Sequence, residues 1–185
     1  TGDNYCLYLD NVSNTTVDNL DLTATTYGYQ GWGLVVQNSA SNRNVTIKNC
    51  KMNNRFSGIY CIGGKDYTIT GNDLKNTGND NTRAALYLTG IRPGMLPAGV
   101  VASGNLFGTG TSRTALRVSD MDGLLIGDAG VVGAHIVMED GSGANMMSTD
   151  GDNAVIYLNA VSNVTVNEVD VSRSASGRTG VGIWV

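Results

Sequence analysis

The chain has 185 residues, the size of one domain, and carries 25 Gly, only 2 Pro and 15% charged residues against a background rich in Asn, Thr, Ser and Val. Its formal net charge of -4 argues against nucleic acid as a partner, because phosphate contact needs clustered cations. No apolar run of about 18 residues is present, so nothing inserts into a membrane as a helix.

Helix formers are sparse, and no segment holds an apolar stripe at helical spacing. Short runs of Val, Ile, Thr and Tyr predict strands instead. In chain order these runs form pairs. The first coil has Leu7-Tyr8-Leu9 and then Val17 to Leu22. The second has Leu34-Val35-Val36 and Ile47 to Met52. The third has Ile59-Tyr60-Cys61 and Ile69 to Leu74. The fourth has Leu86-Tyr87-Leu88 and Val101 to Leu106. The fifth has Leu116-Arg117-Val118 and the weakest partner, Ile126 to Val131. The sixth has Ile156-Tyr157-Leu158 and Val166 to Val171, and Ile183-Trp184-Val185 repeats the first strand once more.

The first strand recurs at intervals of 25 to 30 residues, with one interval of 40. A fixed period of this length marks a solenoid, in which each coil leaves an apolar face that only its neighbours cover. In the second run the apolar residues fall at the first, fourth and sixth places. That pattern predicts a strand, a bend and a strand facing one interior, with Asn72 in the inward column beside Leu20 and Cys50. An inward Asn at a bend satisfies backbone groups and stacks as a ladder. Gly and Asn between strands suit corners that need φ > 0. The long interval is read as an inserted loop over residues 134–153, in the fifth coil.

The segments Asn44-Val45-Thr46-Ile47-Lys48-Asn49-Cys50, Tyr67-Thr68-Ile69-Thr70-Gly71-Asn72 and Asn163-Val164-Thr165-Val166 resemble the repeat of the right-handed parallel β-helix. Pectate lyases, polygalacturonases, alginate epimerases, phage tailspikes and many bacterial surface proteins share it. The resemblance spans nearly the whole chain. It implies an all-β, single-stranded parallel β-helix of about six to seven coils, in one domain over residues 1–185. Because no end cap is evident, the chain is read as a segment of a longer protein, with neighbouring domains or a second copy covering its ends. The fold hosts unrelated roles, so function must come from a site.

The outward place of the first strand reads Tyr8, Val35, Tyr60, Tyr87, Arg117, Tyr157 and Trp184. Such a ridge suits a polysaccharide or cell-surface glycan, a packed protein partner, or stacking between coils. Tyr8, Tyr60, Tyr87, Arg117, Tyr157 and Trp184 are the candidate ligand-binding residues. Just before them lies a small column, Cys6, Gly33, Gly58, Ala85, Ala115, Val155 and Gly182, expected to form a shallow outward floor.

Catalytic candidates are few. Ser148-Thr149-Asp150-Gly151-Asp152 is similar to the Asn-Thr-Asp-Gly signature of polygalacturonases, and Asp150 matches its Asp. The family's second carboxylate pair and its Gly-His-Gly and Arg-Ile-Lys motifs are missing here, and hydrolysis needs carboxylates on both sides of the bond. A lyase needs a base beside a cation-neutralised uronate. Arg117 is the candidate base, without a stacked carboxylate cluster. Oxygen ligands for Ca²⁺ are offered by Asp140, Asp150 and Asp152, at spacings that match no known calcium loop. No cofactor is otherwise implied. The single His135 excludes a His-pair metal site. The 3 Cys predict packing rather than a disulfide framework. The 4 lysines, Lys48, Lys51, Lys65 and Lys75, read as a solvated strand face.

These features lead to a non-catalytic segment of an extracellular adhesin, fibre or phage-spike-like protein, at a cell or virion surface, with glycan contact at the ridge. The alternatives are an enzyme on acidic polysaccharide (lyase, epimerase or hydrolase) and a self-assembling structural subunit.

Overall fold

A computed structural model describes residues 4–25, 31–37, 42–74, 77, 84–89, 100–103, 105–108, 116–122, 124–126, 137–139, 154–166 and 181–185. Its strands pair only in parallel, and like residues of successive coils stand beside one another. The chain is a parallel β-solenoid.

The first sheet takes one strand from each coil: β1 (Tyr5–Asp10), β3 (Trp32–Gln37), β5 (Ser57–Ile62), β7 (Leu86–Thr89), β10 (Leu116–Asp122), β13 (Ala154–Ser162) and β15 (Val181–Trp184), hydrogen-bonded in that order. The second sheet stacks β2 (Ser13–Asp18), β4 (Arg43–Lys48), β6 (Lys65–Thr70), β8 (Val100–Ser103), β11 (Leu124–Ile126) and β14 (Thr165–Val166). A third line of contact is shorter. It comprises β9 (Leu106–Gly108) paired with β12 (Val137–Glu139), and isolated bridges joining Asp21, Lys51 and Asp73. β12 falls within the segment 134–153 that the sequence suggested as an inserted loop; the rest of that segment lies outside the described residues. No helix among the described residues is long and apolar enough to cross a membrane.

The core follows from alternation. In the first sheet Leu34, Ile59, Leu86, Leu116 and Ile156 form one inward column, and Val36, Cys61, Leu88, Val118 and Leu158 the next; all are buried. The second sheet answers with Val17, Ile47, Ile69 and Ala102. Each fully buried aliphatic side chain contributes about 1.5–3 kcal/mol. Cys50 and Cys61 sit in this core as small apolar residues, and burial pushes both thiols up from their ordinary pKa.

In the first three coils the second run bends where the pattern placed the bend. Asn19, Asn49 and Gly71 adopt φ of 56°, 53° and 64°, just past the ends of β2, β4 and β6. Asn tolerates this left-handed region better than other side-chain-bearing residues, and Gly does so without strain. The next residue turns inward. Asn72 is fully buried there, and its Oδ1 accepts from the Cys50 amide at 3.0 Å. Its Nδ2 donates to the Ile47 carbonyl at 3.0 Å and to Asn105 Oδ1 at 2.9 Å. Asn105 repeats the arrangement one coil on, accepting from the Asn72 amide at 3.0 Å and donating to the Ile69 carbonyl at 2.9 Å.

Three details differ from the sequence reading. In the fourth coil Ala102, not Val101, occupies the inward place, since it pairs with Ile69. The bulkier Val101 suggested the other register. A one-residue slip exchanges the two faces, and the Asn72–Asn105 contact fixes which register holds. Leu20 is 41% exposed although it continues the Cys50–Asn72 column, because β2 is an edge strand with a coil on one side only. Gly33, Gly58 and Ala85 of the small column are buried and make no outward floor. A Cβ on Gly33 would meet Met52 side-chain atoms at 3.0 Å, and one on Gly58 would meet Leu74 at 2.8 Å. Those glycines mark a corner where the third face closes against the first sheet.

Asn72→Ala removes the partners of the Cys50 amide and the Ile47 carbonyl, both buried. Chemical denaturation is expected to show a loss of about 2–4 kcal/mol.

Candidate functional site

The outward face of the first sheet carries the ridge. Register places Tyr8, Val35, Tyr60, Tyr87, Arg117, Tyr157 and Trp184 in one continuous column. Strands about 4.8 Å apart hold successive rings at stacking distance. Tyr60 and Tyr87 stack with centroids 4.9 Å apart and planes 19° from parallel. The Arg117 guanidinium continues the line, 5.4 Å from the Tyr87 centroid and 4.8 Å from that of Tyr157. Trp184 is 43% exposed on the edge strand β15.

Two aromatics that the sequence reading left out complete the site. Trp32 and Tyr5 are register partners, three residues before Val35 and Tyr8. Trp32 reaches over the short Val35 and stacks on Tyr60 at 4.3 Å and 19°. Tyr5 stacks on Tyr8 at 4.7 Å and 25°. The signal was present as an aromatic three places ahead of the ridge in the first two coils. It was obscured because simple alternation puts such a residue on the opposite face.

The stack decides what the ridge offers. Tyr60 has Trp32 on one face and Tyr87 on the other. Tyr87 has Tyr60 and Arg117. The middle rungs therefore present ring edges and hydroxyls outward, and their faces are already engaged. Between the two aromatic pairs lies an open groove of about 210 Å³, lined by Tyr5, Trp32, Val35, Gln37, Tyr60 and Ile62. Burial and then the neighbouring Asp10 carboxylate push the Tyr8 phenol up, with Tyr5 adding a smaller effect.

Asp140, Asp150, Asp152, His135 and Lys75 lie outside the described residues. Among the described residues no group of three or more His, Cys, Asp or Glu is placed to hold a metal. Lys48 pairs with Asp18 at 3.3 Å on the second sheet. Lys51 is bridged by register between Asp21 and Asp73. Hydrogen bonding from Asn49 first, and Lys48 after it, hold the Asp18 carboxyl below its ordinary value; hydrogen bonds from Thr23 do the same for Asp21, helped by Lys51.

With fold and site in view, the class is a parallel β-solenoid bearing an outward aromatic–guanidinium ladder. Comparison of the chain with known protein families, with curated proteins and with solved structures finds no match.

The ladder predicts that Tyr60→Ala, which removes two ring contacts, destabilises by about 1–3 kcal/mol, whereas Tyr60→Phe stays within about 0.5 kcal/mol. Thermal or urea unfolding measures both. Asp18 and Asp21 have lowered folded-state pKa values, so their contribution is complete above the ordinary value of 3.8 and is lost as pH falls below it. The melting temperature is expected to fall less steeply with acidification in an Asp18→Asn, Asp21→Asn double variant than in the parent.

Proposed function

We propose that this chain is a non-catalytic segment of an extracellular surface protein, an adhesin, fibre or phage-spike-like shaft, whose ridge meets a glycan edge-on. The observation that supports this reading is the orientation of the rings. Stacked face to face along the solenoid, they cement adjacent coils and stiffen the shaft. The same stacking turns the ring edges of Tyr60 and Tyr87, with their phenol hydroxyls, outward at the pitch of the strands. Rows of hydroxyls at a fixed spacing suit hydrogen bonding to the hydroxyls of a linear glycan laid along the axis.

Activity on acidic polysaccharide draws less support. Arg117, the candidate base, lies between two rings as a rung of the ladder, and register gives it tyrosines rather than carboxylates as cross-coil neighbours.

The test separates hydroxyl contact from ring stacking. A Tyr60→Phe, Tyr87→Phe double variant keeps the ladder and removes two hydroxyls. In affinity electrophoresis through plant, algal and bacterial polysaccharides, the parent is expected to be retarded by at least one, and the double variant to bind about tenfold more weakly with an unchanged melting temperature. Equal retardation of the two proteins removes the hydroxyl row from the account. No retardation of the parent by any polysaccharide removes glycan contact altogether.

A further inference from the structure

One rung of the ridge is a cation and one rung is missing. At the cationic rung, the Arg117 guanidinium lies between Tyr87 and Tyr157 at 5.4 and 4.8 Å from their centroids. The spacing of the ladder thus accommodates a positive group between rings two coils apart, within the range of cation–π attraction. At the missing rung, Val35 stands in register between Tyr8 and Tyr60 and is too short to extend the ring line. Trp32 fills part of the gap from the Tyr60 side, and the groove of about 210 Å³ is what remains.

The chemistry of the groove selects its occupant. Three of its six lining residues, Tyr5, Trp32 and Tyr60, are aromatic, and none carries a formal charge at neutral pH. Tyr60 has both faces covered, by Trp32 and Tyr87, so the rings that can turn a face to the groove are Tyr5 and Trp32, each stacked on one ring neighbour, and such faces attract positive charge through the quadrupole. Asp10, the register partner of Gln37 on the same outward face, is exposed and adds a carboxylate on this side. An anionic ligand would be repelled by Asp10. A neutral ring would gain contact area but nothing from the charge. A primary ammonium is strongly hydrated and wants three acceptors, whereas Gln37 is the one lining residue with a side-chain amide. A quaternary ammonium has no N–H, is weakly hydrated and needs no acceptors, and each methyl group added to an amine moves it in that direction.

We propose that the groove over Val35 binds an organic ammonium ion of the quaternary or methylated-amine class, with Tyr5 and Trp32 as its aromatic walls and Asp10 as outer counter-charge. This site is separate from the hydroxyl row, and its occupancy does not depend on glycan contact.

Calorimetric titration of the full chain tests it, with choline, its neutral isostere 3,3-dimethylbutanol and methyl glucoside as the three probes. Choline is expected to bind saturably, and both neutral probes at least about tenfold more weakly. Tyr5→Ala is expected to weaken choline binding about fivefold or more, and Asp10→Asn to weaken it and flatten its salt dependence. Tyr5 is 45% exposed, so its truncation leaves the core intact, and an unchanged thermal melt verifies that the fold persists. The proposal fails if the isostere or the glucoside binds as tightly as choline. It fails equally if Tyr5→Ala keeps full affinity, or if choline shows no saturable heat up to about 10 mM.

Discussion

Stacking of like residues across coils is the constraint on which the rest of the structure depends. A single coil of this chain cannot bury Leu86 or Ile69; only the coils on either side can cover them. Parallel pairing in strict register therefore decides burial, hydrogen bonding and surface chemistry together. The edge strands show the rule by its failure: Leu7 and Leu9 on β1 are only half-buried, while their counterparts Leu34 and Val36 on β3 are fully buried.

Corners are where this constraint is hardest to satisfy, since the backbone must turn and still present its amides to the next coil. Backbone bonds continue through the bend, with Asn19 donating to the Lys48 carbonyl at 3.1 Å and Asn49 to that of Thr70 at 3.2 Å. Inside, Asn72 and Asn105 supply the partners that a tight turn withholds from the main chain. At Cys50 the ladder stops: the thiol faces the Lys48 carbonyl at 3.1 Å and the Val17 carbonyl at a long 3.9 Å. The high Asn and Gly content is thus a consequence of repeated turning in a fixed plane.

The same register gives the outer surface its character. Rings one coil apart have little freedom to do anything but stack, so a column of tyrosines becomes a ladder before it becomes a binding surface. In the functional readings proposed above, recognition falls to what stacking leaves over: the hydroxyl edges, and the place where Val35 interrupts the column. The regular rungs are occupied by one another, so an irregularity in the repeat is where the outer face opens a groove.

The sequence by itself determined the period, the all-β solenoid, the inward columns of the first strand and membership of the ridge from Tyr8 to Trp184. These are legible because alternation at period two and recurrence near thirty residues are properties of the string. It also placed Asn72 inward, since an Asn among apolar column-mates has few other roles. Only the tertiary structure decided that Ala102 rather than Val101 faces the core, because the choice rests on an amide–amide contact between Asn72 and Asn105. It alone decided that Gly33 and Gly58 close a corner, and that Trp32 crosses to the outer face to stack on Tyr60. Each of these depends on which atoms of a neighbouring coil stand within a few ångströms, and that distance is set by the stack as a whole.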